Sequence, residues 1–372
     1  MNRNRWTTIE VPSQWELQGF GTYNYGHDRP HATEHGLYRY RFCVPTGWKN
    51  KKVYLVFEGS MTDTEVRING RSAGPVHKGG FYRFRYDVSA LLDYEGYNVL
   101  EADVAKESAD EDINRAERQA DYWVFGGIYR PVYLQAVPRV HIDRVAIDAR
   151  HDGHFRMDVY TEGLQGGGYT VGTLIRDASG RKVGQLKGTP AMKDGRIEVS
   201  GSVRKIKPWT SETPYRYTAE ITLEKDRKVL HRHLEKFGFR TVEFRPGDGF
   251  YINGTRVLFK GVDRHTFRPE YGRASSPRFA IEDVNLIKDM NMNAVRMSHY
   301  PPDPFFLDVC DSLGLYVIDE LAGWQDRYDS PNAQRLIRSM VTRDVNHPSI
   351  FLWSNGNEGG FPTDCRDEYS LH

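Results

Sequence analysis

The chain has 372 residues, which is enough for about two to three domains and for a large buried core. Its 51 Lys and Arg against 50 Asp and Glu leave a net charge of +1, which excludes a global basic field for nucleic acid. Hydrophobic residues make up 39%, charged residues 27%, and no apolar run is long enough to span a membrane. The 22 Tyr, 18 Phe and 35 Gly favour aromatic-rich sheets with many turns.

Residues 1–138 are predicted to form a β-sandwich or barrel. Apolar residues alternate with a period of two at 53–57 and at 132–136, as on strands with one buried face. Asn69 and Gly70 follow another alternating stretch and predict a hairpin turn, because both residues tolerate positive φ.

Residues 139–240 continue with short strands. Apolar residues alternate at 171–175 and at 217–223, and the glycines at 163–168 mark a turn. About 100 residues of this pattern predict an immunoglobulin-like sandwich, with a boundary near residues 237–240.

After residue 240 the hydrophobic period changes. Short apolar runs typical of buried parallel strands occur at 257–261, 294–296, 315–319 and 350–353. Helical patterns lie between them, so residues 241–372 are predicted to form a parallel sheet, either a barrel or a doubly wound sheet.

Each of the three helices is predicted to begin at a capping side chain followed by proline. The three pairs are Ser276–Pro277, Asp303–Pro304 and Ser330–Pro331. The predicted inward side chains are Ile281, Val284 and Ile287 on the first helix, Phe306, Val309, Cys310 and Leu313 on the second, and Leu336, Met340, Val341 and Val345 on the third.

Polar, titratable side chains follow all four predicted parallel strands. They are Asp263-Arg264-His265, Arg296 through Tyr300, Asp319-Glu320, and Asn355 through Glu358. Reactive groups of βα folds lie at the carboxyl ends of the strands. One such exit is usually a solvated turn, but four of them predict a shared site.

The chain resembles glycoside hydrolase family 2 over essentially its whole length. The matching text is KGVDRH at 260–265, NAVRMSHYP at 293–301, GLYVIDE at 314–320 and NHPSI at 346–350, with VPSQWELQGFG at 11–21 and DYWVFGGIYR at 121–130. The family includes β-galactosidases, β-glucuronidases and β-mannosidases. The resemblance implies a jelly-roll sandwich at 1–138, an immunoglobulin-like sandwich at 139–240 and a (β/α)8 barrel from residue 241.

The resemblance also implies retaining glycoside hydrolysis by two carboxylates. Glu358 matches the family's general acid/base, and Asn357 matches the residue that hydrogen-bonds the sugar 2-hydroxyl. Arg296 matches the arginine that orients the nucleophile, a role compatible with a structural ion pair.

Three further residues match substrate ligands of the family. His265 and His299 match residues that contact sugar hydroxyls, and Asp121 matches a loop carboxylate that reaches into the site of β-galactosidases. Without the resemblance, such histidines are more typical of structural positions and such an aspartate of a solvated loop.

The text after Asp319-Glu320 departs from the magnesium-using β-galactosidases. Those continue with Asn, Glu and His, whereas this chain has Leu321-Ala322-Gly323-Trp324-Gln325. We therefore expect no metal and no cofactor at this site. Cys43, Cys310 and Cys365 lie far apart, so reduced thiols are expected rather than a zinc site or a disulfide framework.

The text supplies four of eight barrel strands, and the resemblance puts the nucleophile glutamate on the seventh. We therefore expect this chain by itself to be an inactive portion of a β-galactosidase-like enzyme acting on an oligosaccharide or glycoside. The alternatives are a β-glucuronidase or other β-glycosidase specificity, and a non-catalytic carbohydrate-binding or structural module. A doubly wound nucleotide-binding protein is disfavoured, because no glycine-rich loop follows the first parallel strand.

No nucleic-acid or membrane partner is expected, and homo-oligomerisation is left open. Residues 1–6 hold no apolar stretch of the secretory type. A cytoplasmic location is therefore expected if Met1 is the natural start, and a periplasmic or secreted one if the N-terminus is cut.

Overall fold

The computed structural model describes residues 6–28, 33–188, 196–326 and 328–359. In these ranges the chain forms two antiparallel sandwiches followed by a parallel sheet with helices between its strands. The predicted fold class of two sandwiches and a partial barrel is confirmed.

The first sandwich consists of short antiparallel strands. Its elements are β1 (Asn24–Tyr25), β2 (His35–Phe42), β3 (Lys52–Phe57), β4 (Thr64–Ile68), β5 (Arg71–Ser72), β6 (Phe84–Asp87), β7 (Asn98–Ala105), α1 (Glu111–Glu117), β8 (Trp123–Val124) and β9 (Val132–Val137), with short 3-10 helices at Glu16–Gln18 and Thr46–Trp48. One sheet has the order β2-β7-β4-β5 and the other β6-β3-β9, while β1 pairs with β8.

The predicted alternation of the first sandwich is confirmed on β3. Val53, Leu55 and Phe57 are buried in one core between the two sheets. The hairpin turn between β4 and β5 also has the expected backbone, with φ of 53° at Asn69 and 75° at Gly70.

The second sandwich is again antiparallel. Its strands are β10 (His141–Ala149), β11 (His154–Glu162), β12 (Tyr169–Arg176), β13 (Lys182–Gly188), β14 (Arg196–Ser202), β15 (Tyr217–Lys225) and β16 (Lys228–Phe237). The sheets have the orders β10-β11-β14 and β13-β12-β15-β16. Every second residue of β12 and β15 enters the core between them, as the alternation predicts.

A small antiparallel sheet then leads into the parallel one. It consists of β17 (Val242–Arg245), β18 (Gly249–Ile252) and β19 (Thr255–Arg256). The elements that follow are β20 (Gly261–Arg264), α2 (Pro277–Asp289), β21 (Ala294–Met297), α3 (Pro304–Leu313), β22 (Tyr316–Glu320), α4 (Ser330–Asp344) and β23 (Ile350–Ser354). The four strands from β20 to β23 are parallel and adjacent in chain order.

The predicted first parallel strand at 257–261 was placed too early, because pairing begins only at Gly261. The Leu258 side chain is 74% exposed rather than buried. Gly261 is the first residue to pair, opposite Ala294, and a side chain at 261 would collide with the Ala294 carbonyl oxygen. Close backbone approach therefore sets the start of the strand.

The first helix presents a different face from the one predicted. Ala280, Val284 and Ile287 are buried on α2, whereas Ile281 is 46% exposed. A spacing of four and three residues places these buried side chains in one stripe, and Ile281 lies beside it. The cap at Ser276 is as predicted, since its side chain accepts a hydrogen bond from the Phe279 backbone.

The other two predicted caps were wrong. Asp329, rather than Ser330, caps α4 by accepting a hydrogen bond from the Asn332 backbone N–H. Asp303 stands before α3 without capping it, because its carboxylate pairs with Arg130 at 3.0 Å. The predicted inward residues of α3 and α4 are buried or half-buried, and Leu307, Ala333 and Ile337 are buried with them.

The first sandwich packs directly on the carboxyl end of the parallel sheet. The two share a core that joins Phe81, Tyr82 and Tyr129 to side chains of α4 and of the segments after β21 and β22. Arg130, which is 1% exposed, donates to the Pro301 carbonyl oxygen at 2.8 Å and so ties this sandwich to the loop after β21.

The remaining expectations concern thiols and membranes. Cys43 is an exposed free thiol and Cys310 a buried one, while Cys365 lies outside the described residues. In the part of the chain that the structure describes, no helix combines the length and apolarity needed to cross a membrane.

Candidate active site

The carboxyl ends of the four parallel strands converge on one polar site. His265 follows β20, Arg296 lies on β21 with His299 just beyond it, and Glu320 ends β22. Asn357 comes shortly after β23. The parallel register brings these groups to the same edge of the sheet, as the strand-exit argument predicts.

Glu320 is the centre of the hydrogen bonding at this edge. Its carboxylate is fully buried and accepts from Arg296 Nε at 2.7 Å and Nη2 at 3.1 Å. His299 Nδ1 lies 2.6 Å from the same carboxylate. Burial by itself would raise the pKa of Glu320, but hydrogen bonds from His299, Arg296 and Ser354 together lower it below its usual value.

Arg296 also fixes the amide of Asn357. Its Nη2 donates to Asn357 Oδ1 at 3.2 Å. Because the amide oxygen is occupied, the Asn357 NH₂ group is the part left to donate to a ligand. The arginine therefore joins two of the strand ends that the sequence singled out.

Glu358 is exposed at the open side of the site. Its Oε2 accepts a hydrogen bond from Gln325 Nε2 at 3.0 Å. The backbone around it is held by the segment after β22, since Asn357 N–H donates to the Gly323 carbonyl and Gln325 N–H to the Asn357 carbonyl. Glu358 has φ of 55°, a conformation that a non-glycine residue rarely adopts.

His265 contacts the site through His299 and has a lowered pKa. Its ring contacts His299 edge-to-face at 5.3 Å, and its Nδ1 lies 3.3 Å from the Tyr300 hydroxyl. Burial, Arg273 and His299 lower the pKa of His265 to about 4. A neutral imidazole can accept as well as donate a hydrogen bond, which suits a hydroxyl ligand.

Asp121 is not among the side chains that the structure brings together here. Its carboxylate is about half exposed and lies 2.8 Å from His27 Nε2 on the first sandwich. The neighbouring Tyr122 instead reaches the site, with its ring 6.4 Å from His265 and 6.1 Å from Trp324.

The sequence analysis placed Glu320 at a strand end without assigning it a role, and it missed Tyr122 and Arg273 as parts of the site. Glu320 had a usable signal, because a carboxylate at the end of a buried strand must find partners there. The Arg273 guanidinium lies over the rings of Tyr122 and Tyr300, 4.3 and 4.5 Å from their centroids. These contacts join three distant segments, so no local sequence pattern predicts them.

The segment after β22 does not fit a metal-binding role. Leu321 and Ala322 are buried apolar residues, and Trp324 packs on His299 at 4.8 Å. Magnesium prefers oxygen ligands, which these side chains do not offer. That the site uses no metal and no cofactor remains a prediction.

The sequence matches descriptions of three consecutive domains of one family. The sugar-binding domain of glycosyl hydrolases family 2 matches residues 2–138, and the middle domain of that family matches residues 136–240. The TIM barrel domain of the same family matches residues 242–371. The chain belongs to glycoside hydrolase family 2.

Relatives within family 2 are named as β-galactosidases, β-glycosidases and β-glucuronidases. The β-galactosidase of Thermoanaerobacter pseudethanolicus is 33% identical over 85% of this chain and 44% of its own length. A β-glycosidase from Bacteroides vulgatus superposes with a TM-score of 0.83 at 29% identity, over 100% of this chain and 49% of that one. A Bacteroides uniformis β-glucuronidase superposes with a TM-score of 0.81 at 27% identity, over 95% of this chain and 44% of that one.

The chain therefore spans less than half the length of these family 2 relatives. Of the carboxylates at its strand ends, Glu320 is ill suited to nucleophilic attack, because it is fully buried and bonded to Arg296 and His299. Glu358 is exposed, and within the described ranges one of its oxygens accepts a hydrogen bond from Gln325.

Proposed function

We propose that this chain contributes the acid/base half of a retaining β-glycosidase that releases terminal β-linked sugars, with β-galactosides as the first substrate class to test. The observation that carries the proposal is the pairing of an exposed Glu358 with an Asn357 amide fixed by Arg296. The names of the relatives support the β-glycosidase class.

In this proposal Glu358 protonates the glycosidic oxygen as the bond to the anomeric carbon breaks, and later takes a proton from the attacking water. The Asn357 NH₂ group donates to the sugar 2-hydroxyl. His265, in its neutral form, and His299 bind other hydroxyls. Arg296 acts through Glu320 and Asn357 as a positioning residue.

The attacking carboxylate is proposed to come from a later barrel strand. The experiment compares this chain with the same reading frame extended through a complete barrel, using aryl β-galactosides and aryl β-glucuronides. The extended protein is expected to hydrolyse one of them and the 372-residue chain neither. Glu358→Gln in the extended protein should lower kcat by about 10²–10⁴-fold.

Activated aryl glycosides with a good leaving group provide the sharper comparison. They need little protonation, so Glu358→Gln should lose less activity on them than on a poor leaving group. Full activity of Glu358→Gln on both substrates would contradict the proposed role. A matched variant, Gln325→Ala, removes only the hydrogen bond to Glu358 and should retain most activity.

A second candidate function is carbohydrate binding without catalysis. It is favoured by exposed aromatic rings on the first sandwich, where Trp123 is 46% and Tyr23 53% exposed, with the rings 6.3 Å apart. Calorimetric titration of this chain with β-linked oligosaccharides tests it. Saturable binding that Trp123→Ala abolishes and Glu358→Gln leaves intact would favour this candidate.

A further inference from the structure

Three potential metal ligands meet where the second sandwich contacts the first. His141 begins β10 and stands directly opposite Glu162 of β11 in the strand register. The register shifts between Ile142 and Arg144, so Asp143 is the extra residue of a β-bulge. Bulges re-aim side chains, and here Asp143 joins the other two on the face away from the core of the second sandwich.

The three side chains are close enough to share one ion. One ligand atom from each of His141, Asp143 and Glu162 lies within 4.8 Å of the other two. Their positions are fixed by two adjacent strands of a sheet rather than by a loop. A site built on regular strands is held more firmly than one built on loops.

His141 adds an independent observation, because its imidazole lacks the partners that a buried polar group requires. The residue is 1% exposed, and within the described ranges neither ring nitrogen has a hydrogen-bond partner. The nearby His231 differs, since its Nδ1 accepts from the Ile142 backbone N–H at 3.0 Å. A buried polar group without a partner is destabilising, so the His141 ring is poised to receive one.

We propose that His141, Asp143 and Glu162 form a binding site for a divalent transition-metal ion of the zinc class at the junction of the two sandwiches. One imidazole and two carboxylates are a common ligand set for such ions, with metal–ligand distances of about 2.0–2.2 Å. Calcium and magnesium prefer all-oxygen sites, so the histidine favours zinc, cobalt or nickel. A water molecule would complete the coordination.

Arg85 of the first sandwich is the resident cation of this cluster. Its Nη2 lies 2.5 Å from Asp143 Oδ1 and 3.5 Å from Glu162 Oε1, and its side chain is 33% exposed. The other oxygen of Glu162 accepts from the Tyr54 hydroxyl at 2.8 Å and lies 3.3 Å from Lys52 Nζ. A metal ion must therefore compete with Arg85, whose exposed guanidinium can turn toward solvent.

A second cluster of similar composition serves as the internal comparison. Asp308, Asp311 and His347 also bring three ligand atoms together. There the histidine Nδ1 lies 2.7 Å from Asp311, and the same carboxylate accepts from the Ser349 backbone and hydroxyl. Those hydrogen bonds use the atoms that a metal would need, so this cluster is not expected to bind one.

The test is calorimetric titration of the untagged, chelator-treated chain with Zn²⁺, repeated with Co²⁺ while following visible absorption. Wild type is expected to bind one ion. His141→Gln should weaken binding at least tenfold and remove the Co²⁺ bands, whereas Arg85→Gln should tighten it by removing the competing cation. Asp308→Asn, the matched control at the other cluster, should bind like wild type.

Circular dichroism first establishes that each variant is folded. The proposal is overturned if wild type binds no ion, or if His141→Gln binds as tightly as wild type. It is also overturned if Asp308→Asn abolishes the binding, because the ion would then lie at the other cluster. Since no step depends on glycoside hydrolysis, a failure here is distinct from a failure of the proposed function.

Discussion

The end of β22 presents two buried carboxyl groups, on opposite faces of the parallel sheet. Asp319 and Glu320 are both fully buried, yet their pKa values move in opposite directions. Glu320 faces the candidate active site, where Arg296 and His299 hold it ionised. Asp319 faces α4, where burial and the neighbouring carboxyl of Asp344 raise its pKa well above the usual value.

The two faces show that burial alone does not decide charge. Arg343 forms two hydrogen bonds with Asp344, at 2.6 and 2.7 Å. That leaves Asp319 without a cationic partner of its own, and within the described ranges neither of its oxygens accepts a hydrogen bond from a donor group. Burial and the nearby carboxyl of Asp344 therefore favour the protonated form of Asp319.

The largest expected effect follows from removing the ionised member of this pair. Glu320→Gln leaves the Arg296 guanidinium and the His299 ring without their shared carboxylate, so the free energy of unfolding should fall by about 3 kcal/mol. Urea denaturation at pH 7 measures this. The loss should shrink as the pH falls through the lowered pKa of Glu320, because wild type then loses the same charge. If the stability difference between wild type and Glu320→Gln stayed constant down to pH 3, Glu320 would not be ionised in the folded protein.

The pair formed by His347 and Asp311 extends the comparison to a buried histidine that has an acidic partner. Asp311 raises the pKa of the buried His347 to about 9 despite burial, which acts to lower it. Asp311→Asn should therefore cost about 2 kcal/mol at pH 6, where the charged hydrogen bond is complete. This stabilisation is present below the ordinary histidine pKa and is lost as the pH rises through 9. Thermal unfolding across pH 6–10 should show the variant and wild type converging.

Asp319, the member of the β22 pair with the raised pKa, should tolerate replacement. Asp319→Asn resembles the protonated acid in size, so stability should change by about 1 kcal/mol or less near pH 4. As the pH rises, Asp319 ionises more readily in the unfolded wild type than in the folded one, which lowers the free energy of unfolding of wild type. The variant should therefore become more stable relative to wild type as the pH rises. A matched pH series of urea denaturation checks this sign. If the stability of the variant relative to wild type instead falls with rising pH, Asp319 is ionised in the folded protein.

The smallest expected effect is that His265 does not titrate near neutral pH. Its pKa of about 4 means that its ring should not titrate between pH 6 and 8, unlike an exposed histidine. Nuclear magnetic resonance of labelled histidines tests this, with His265→Gln used to assign the signal. Arg273→Met removes a neighbouring positive charge and should raise the pKa of His265. A His265 titration near pH 6.5 in wild type would refute the neutral assignment.

Much of the fold was accessible from the sequence because alternation and caps are local. The period of two on β12 and β15 reflects which side chains face the core, and the hairpin at Asn69 needs only two residues of suitable backbone. The error at the start of α3 has a long-range cause. Asp303 resembles a helix cap in sequence, but Arg130 from the first sandwich takes its carboxylate.

The residues of the candidate site likewise divide into those that a local pattern predicts and those that long-range packing decides. The strand-exit pattern predicted the positions of His265, Arg296, His299 and Asn357, because parallel strands end at one edge by construction of the sheet. It could not separate Asp121 from Tyr122, since which of two neighbours turns inward depends on packing against residues about 140 to 200 positions later. Long-range packing leaves no periodic trace in the sequence.

The anchoring of Arg130 has a consequence for the order in which the protein is made. The first sandwich leaves the ribosome well before residues 300–303. Arg130 of that sandwich binds the Pro301 carbonyl oxygen and the Asp303 carboxylate. Phe81 from that same sandwich stacks on Tyr300 at 4.4 Å. The loop after β21 therefore emerges next to a sandwich that can already be folded, and the N-terminal sandwich offers a surface against which this edge of the parallel sheet can pack.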